Sequence, residues 1–332
     1  MHSGPKPPVI VIGRNEGEEL RRCLSSALRQ SETIIYVDSG SSDGSPRLAR
    51  SLGVFVIELD PLSPYTAARA RNEGVHYLLI RHPDVEMVQF LDGDCELADG
   101  WLDCAADELA ERPELAAVAG NRRERFSDLS IFNKLCDLEW DAPPGEVPAF
   151  GGDALVRIAA FRQAGGFNPS LIAGEEPELS LRMRQKGWKI LRISRAMSLH
   201  DAKMTTFRQW WRRTMRCGHA YAEGAWLYGF EPERHCMRES LSSWFWGAVL
   251  PALIIILLRS NGPGAFVIAV LYAVLVLRVY RHMRGRALTP HDALLYAAFC
   301  VLAKFPEALG QIVFHSRRFL RRPSRLIEYK AT

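Results

Sequence analysis

The sequence predicts an α/β fold: a domain built on a mostly parallel, doubly wound sheet, followed by a C-terminal helical region at a membrane. Between Val9 and Leu91, short apolar runs alternate with helix-forming segments, the β-α-β-α-β-α-β order of a parallel sheet. The runs end on acidic and amide residues. No G-x-G-x-x-G follows the first run and no G-x-x-x-x-G-K-[ST] occurs, so the glycines of dinucleotide and P-loop sites are missing. Beyond residue 240 come two long, almost uncharged apolar runs.

Val9 to Ile12 is the first strand, too short for the apolar core of a signal peptide. After Gly13-Arg14-Asn15-Glu16-Gly17, Leu20, Leu24 and Leu28 mark one face of a helix. Thr33 to Val37 is a second strand, running into Asp38-Ser39-Gly40-Ser41-Ser42-Asp43-Gly44. The next helix has Ser45 as expected N-cap, Pro46 in the first turn and Gly53 past its end. Val54 to Leu59 is a third strand and Tyr65 to Ile80 a helix carrying Arg71. Val85 to Leu91 is a buried fourth strand, closed by Asp92-Gly93-Asp94. Further on, Trp101 to Glu111 and Ile131 to Trp140 are expected helices, and Leu115 to Ala119 and Ala154 to Ile158 strands. Arg122, Arg123 and Arg125 read as an exposed charged face. Pro177 to Lys186 is a helix with Glu175 and Glu176 at its N-terminus and Gly187 past its end.

The chain has 332 residues, 48% hydrophobic and 24% charged, enough for one large or two smaller domains. Net charge is +4 and no nucleic-acid partner is expected. Seven cysteines without a C-x-x-C pair argue against a disulfide framework or zinc site and suggest reduced thiols.

In open α/β sheets, ligands bind beyond the carboxyl ends of the strands. Asn15 and Glu16, Asp38, and Asp92 with Asp94 stand at three such ends. Carboxylates there can accept base and ribose hydrogen bonds or hold a hard cation through oxygen. An isolated D-G-D is equally a common turn, and Asp43 reads as a turn former. Cys95 reads as a small buried residue, since hard cations prefer oxygen. Glu175 and Glu176 either complement a helix dipole or supply a general base.

Asn15-Glu16, Val37 to Gly44, Arg71-Asn72-x-Gly74, Leu91 to Asp94, Gly165-Gly166-Phe167 and Gly174-Glu175-Glu176-x-x-Leu179-x-x-Arg182 together resemble glycosyltransferase family 2 enzymes of GT-A fold, in that family's order. The resemblance covers about residues 9 to 200. It implies a nucleotide-sugar donor, typically a UDP-sugar, and a divalent Mn2+ or Mg2+. Asp38 would bind the base, Glu16 the nucleoside, and Asn15 and Arg71 would belong to the donor site. Asp92 and Asp94 would form the D-x-D motif, Asp94 toward the metal and Asp92 closer to the ribose, with His200 a further metal ligand. Where the family shows Glu-Asp this chain has Glu175-Glu176. Glu176 aligns with the expected base and Glu175 remains the alternative. Gln209-Trp210-Trp211-Arg212-Arg213 resembles the Q-x-x-R-W motif of processive synthases, with Arg213 in place of tryptophan. Gln209 and Arg212 would serve acceptor and diphosphate. The altered motif, with no expected span before the catalytic domain, suggests single-sugar addition.

The expected organisation is a catalytic domain over 1–200, a helical linker over 201–240 and a membrane region over 241–332. Spans are expected at about 241–258 and 265–280, joined by a turn at Ser260 to Gly264. The segment 292–314 carries Lys304, Pro306 and Glu307 near its middle, so it reads as an interfacial or re-entrant helix. Basic clusters after 280 and 316 place both ends on the cytoplasmic side of an inner membrane, where the terminal arginines would favour anionic lipid head groups. The function expected is metal-dependent, inverting transfer of one sugar to a hydroxyl of a lipid-linked or envelope glycan. A polyprenyl-phosphate glycosyltransferase and an inactive sugar-nucleotide-binding scaffold are the alternatives.

Overall fold

A computed structural model describes residues 6–259, 264–322 and 325–328. The expected turn at Ser260 to Pro263 lies outside the described residues. Contacts divide the chain into two compact units. The first holds the chain to Ser127 and Glu139–Lys203; the second holds Asp128–Leu138 and the chain from Met204.

The first unit is an α/β sheet. Strands β1 (Val9–Gly13), β2 (Ile34–Asp38), β3 (Phe55–Glu58) and β4 (Met87–Asp92) pair in parallel in the order β3-β2-β1-β4. Helices α1 (Glu18–Leu28), α2 (Ser45–Ser51) and α3 (Ala67–Arg81) connect them. Val9, Ile10, Val11, Tyr36, Val37 and Leu91 are fully buried, which accounts for the unbroken apolar runs. In the register, Gly13 faces Asp38 and Ile12 faces both Val37 and Asp92, so three strands end at one level. The strand order reverses at β1, which opens a crevice between the ends of β1 and β4.

The sheet continues through β5 (Cys95–Leu97), β6 (Leu115–Glu124), β7 (Gly145–Glu146), β8 (Ala154–Arg157) and β9 (Lys189–His200). Here β8 runs antiparallel to β4 and β6, β9 parallel to β6, and β5 and β7 antiparallel to β9. The parallel half was expected; this mixed half was not. Helices α4 (Trp101–Glu111), α5 (Ile131–Trp140), α6 (Ile158–Ala164) and α7 (Glu175–Gln185) complete these connections, and the boundary between the units falls inside α5. Two helix starts differ from expectation. Gly44, not Ser45, is the N-cap of α2, and Asp43 accepts from the backbone and hydroxyl of Ser45. Helix α7 begins at Glu175, two residues before Pro177, because Gly174 at φ 79° ends the preceding loop.

The second unit is helical: α8 (Phe207–Tyr228), α9 (Met237–Leu258, with a π-helical turn at Phe245–Val249), α10 (Gly264–Gly285) and α11 (Pro290–Phe319). Helices α9 and α11 are long and apolar enough to cross a membrane. Helix α11 meets this criterion by length and composition, in the segment where an interfacial or re-entrant helix was expected. The charges that counted against it are paired within the unit. Lys304 lies 2.8 Å from Glu307, which also accepts from Ser243 at 2.6 Å, while Ser240 and Gln311 bond each other. Such pairing lowers the cost of polar groups at membrane depth. Glycines let α8 and α11 pack closely: a Cβ on Gly310 would sit 2.0 Å from the Met215 carbonyl oxygen.

Candidate active site

The centre of the crevice is one buried guanidinium. Arg71, on α3, is 2% exposed. Its Nη1 lies 2.9 Å from Glu175 Oε1, and its Nη2 lies 2.9 Å from Asp92 Oδ1 and 3.1 Å from Glu176 Oε1. It thus binds the end of β4 to the first turn of α7, with its face over the Phe167 ring. Arg71, expected in the donor site, lies beneath the carboxylates and holds them in place. Three acids around one cation leave net negative charge. Burial, then the Glu175 carboxylate, push Glu176 up to about 7, against the opposing pull of Arg71. The same carboxylates hold Arg71 above the ordinary arginine range, despite its burial.

Asp92 is flanked from the other side by Arg122, whose Nη2 lies 3.6 Å from Oδ2. The reading of Arg122 as part of an exposed face is corrected here. It is mostly covered, with its side chain 15% exposed, stacks 4.7 Å from the Trp140 ring centroid, and lies 3.8 Å from Asp153. Asp153 is fully buried between the strands. It accepts from the Asp92 backbone at 3.0 Å and from the Ser198 hydroxyl at 2.6 Å. Gly152 sits against Asp92 so closely that a Cβ would lie 2.3 Å from Oδ2.

Asp94 lies in the turn between β4 and β5 and meets partners different from those of Asp92. Its Oδ2 lies 3.1 Å from His200 Nε2, and His200 Nδ1 lies 3.3 Å from Glu124 Oε2. Pairing of β5 with β9 brings these residues together, since Cys95 faces His200 in the register. A carboxylate on Nδ1 fixes the imidazole so that Nε2 faces Asp94, the arrangement found behind metal-binding histidines. Burial disfavours the imidazolium, but Asp94 outweighs it and His200 is raised above its ordinary value. Asp94, Cys95 and His200 offer ligand atoms within 4.8 Å of one another, as do Asp92, Cys95 and Asp153. Burial pushes the Cys95 thiol well up, so it stays protonated and is a poor ligand. Asp94 and His200 remain as an oxygen–nitrogen pair that fits a divalent cation.

The remaining expected residues lie in two places. Asp38 is buried and its oxygens are engaged: Tyr36 and Ser41 hydroxyls donate to Oδ1, and the Gly40 and Ser41 amides donate to Oδ2. Asn15, in the left-handed region at φ 57°, accepts from the Ser42 amide at 2.7 Å and donates its own amide to Ser41. These bonds staple the β1 loop to the β2 loop. Glu16 lies over this junction, its Cγ close to Gly13 and Gly93. Gln209 and Arg212 belong to the other unit, on α8, where the Gln209 side chain closes a capping box with Thr206. Sequence reasoning missed Arg122, Glu124 and Asp153. Alternation along β6 was the available signal, since it puts Arg122 and Glu124 on one face.

Comparison with known proteins gives these features a family. The family model described as Glycosyl transferase family 2 matches residues 9–148, and Glycosyl transferase family group 2 matches residues 88–281. The chain belongs to glycosyltransferase family 2. A pre-mycofactocin glycosyltransferase of Mycobacterium tuberculosis is 26% identical over 229 residues, 62% of this chain and 46% of that protein. The chain thus spans just under half the length of that relative. An O-antigen chain rhamnosyltransferase of Salmonella typhimurium is 24% identical over 242 residues, 67% of this chain and 74% of the relative. Among solved structures, a mannosyltransferase of Pyrobaculum calidifontis in complex with GDP-Man and Mn2+ superposes at a TM-score of 0.57 and 20% identity. It covers 90% of this chain and 87% of its own, and the likeness is one of fold, GT-A.

Proposed function

We propose that the protein transfers a single sugar, with inversion, from a nucleotide-sugar donor to a hydroxyl of a lipid-linked or envelope glycan at the cytoplasmic face of an inner membrane. The observation that carries this reading is the Arg71 cluster. It sets two carboxylates of a rigid helix start beside the D-x-D strand end, and one of them, Glu176, has its pKa raised to about 7. A base poised near neutrality suits removal of a hydroxyl proton. Glu176 takes that proton as the acceptor oxygen attacks the anomeric carbon. The bond to the nucleoside diphosphate breaks, and no covalent enzyme intermediate is needed. Glu175, closer to Arg71 and more buried, positions it. Asp94 and His200 would hold a divalent Mn2+ or Mg2+, which would supply charge neutralisation to the departing diphosphate. Asp92 serves the ribose, and Asn15, Glu16 and the Asp38 loop shape the nucleoside end, a UDP donor being the expected one. Gln209 and Arg212 are proposed for the acceptor and diphosphate. The envelope acceptor is supported by the name of the Salmonella relative, and the membrane by α9 and α11.

The test is incubation of the purified chain with membrane lipid extract and a panel of nucleotide sugars, with manganese or magnesium, reading diphosphate release and labelled lipid. Asp94→Asn and Glu176→Gln should each abolish transfer with the thermal transition retained. Transfer at the wild-type rate in both would refute the assignment. A mild loss in Glu176→Gln alone would indicate a phosphate acceptor, which needs no base.

A further inference from the structure

At the C-terminal end of α11, within the helical unit, a cavity of about 580 Å³ is lined by Glu223, Phe314, Arg318, Phe319, Arg321 and Arg322. Residues 317–325 hold five arginines, more than complementing a helix dipole requires. The backbone is bent to bring them there. The Arg322 amide donates to the Arg317 carbonyl and the Arg321 amide to the Arg318 carbonyl, a Schellman turn. Its left-handed position, which favours glycine, is held by Arg321 at φ 51°. The turn keeps Arg321 and Arg322 beside Arg318 instead of letting the helix carry them apart. Arg318 is itself fixed, with its guanidinium 3.7 Å from the centroid of the Trp226 ring. Among the described residues, no carboxylate lies within ion-pair distance of Arg318, Arg321 or Arg322. The one acid in the lining, Glu223, is pushed by burial up to about 7, so near neutrality it is only partly ionised against three guanidinium groups.

We propose that this cavity binds a phosphate ester anion, and that its occupant is the phosphate of an anionic phospholipid headgroup. The proposal rests on the reading of α11 as a membrane helix. The cavity lies at the end of that helix, the depth at which headgroups sit. Phe319, 87% exposed on its rim, offers an apolar anchor beside the charges. Guanidinium groups suit phosphate through paired N–H donors.

The test uses the full chain in detergent, with fluorescent acyl-chain analogues of phosphatidylglycerol and phosphatidylcholine as probes. The phosphatidylglycerol analogue should bind more tightly. Arg318→Gln/Arg321→Gln/Arg322→Gln should lose that preference by roughly a hundredfold, as expected for three arginines at an anionic surface. Arg281→Gln/Arg284→Gln/Arg286→Gln, an equal change of charge elsewhere in the unit, should keep it. Equal losses in the two triple variants would overturn the site in favour of net charge. Displacement of the lipid by inorganic pyrophosphate at equal concentration would overturn the lipid source. Sedimentation of the wild-type chain with phosphatidylcholine vesicles tests the membrane reading separately. Sedimentation without headgroup preference defeats the cavity alone.

Discussion

Arg71→Gln removes the one cation shared by Asp92, Glu175 and Glu176, and its effect can be worked from the geometry. All three contacts are at 3.1 Å or less, and the guanidinium is 2% exposed. Breaking a buried ion pair by deleting one partner costs about 3–5 kcal/mol, because the other charge stays behind. Here Glu176 can relieve part of that cost by taking a proton. In the wild type its folded pKa, about 7, lies above the ordinary glutamate value of 4.5. Protonation therefore favours the folded state, and that contribution is full below the unfolded value and is lost as pH rises through about 7. Without Arg71 the folded pKa rises further. The variant should lose about 3 kcal/mol or more at pH above this window, and less below it. With Glu176 as the proposed base, turnover needs it unprotonated, so the rising limb of the pH–rate profile, near pH 7 in the wild type, should move to higher pH. Arg71→Lys should keep part of the stability but not the bridge, since one ammonium cannot replace two nitrogens that join a strand end to a helix start. Chemical denaturation at two pH values and a pH–rate series provide the readouts. A loss under about 1 kcal/mol with an unmoved limb would refute the reasoning.

Other consequences follow from the same centre. Glu124→Gln removes the carboxylate behind His200 Nδ1 and should raise the metal concentration for half-maximal transfer by about 10–100-fold, with recovery in excess metal. An unchanged metal requirement would detach Glu124 from the site. Gly152→Ala puts a Cβ 2.3 Å from Asp92 Oδ2, which is held between Arg71 and Arg122 and has little room to move. The displaced carboxylate should cost roughly a hundredfold in turnover with the thermal transition lowered only modestly. Wild-type turnover would show that Asp92 needs no fixed position.

Half of the sheet was legible because β1, β2 and β4 are buried on both faces, and such strands appear as short apolar runs between turn residues. The other half is hidden by its own chemistry. β9 carries Arg192, Arg195 and His200 among its apolar residues and resembles a loop as much as a strand. The acids at the strand ends carried recognisable local motifs. Arg122, Glu124 and Asp153 carried none, because each acts through a neighbour remote in sequence: Asp92, His200 and Ser198. Arg71 stood out in sequence only as part of a motif. Its position under the carboxylates is a property of packing, set where α3 meets the end of β4. The paired Lys304 and Glu307 illustrate the same limit, since composition counts charges but not whether they are neutralised.

The loop closed by Asp38 has a thermodynamic consequence. Tyr36, Gly40 and Ser41 occupy its carboxylate, and Asn15 and Asp43 tie the neighbouring amides. Fixing a residue's backbone costs about 1–2 kcal/mol, and for Ser39 to Asp43 that entropy is lost during folding, before any nucleotide arrives. A ligand meeting this surface finds a rigid mould. On the proposed reading, in which this loop receives the base, discrimination between bases would depend on shape and on which hydrogen bonds a base can exchange with the loop, with little energy diverted to ordering it.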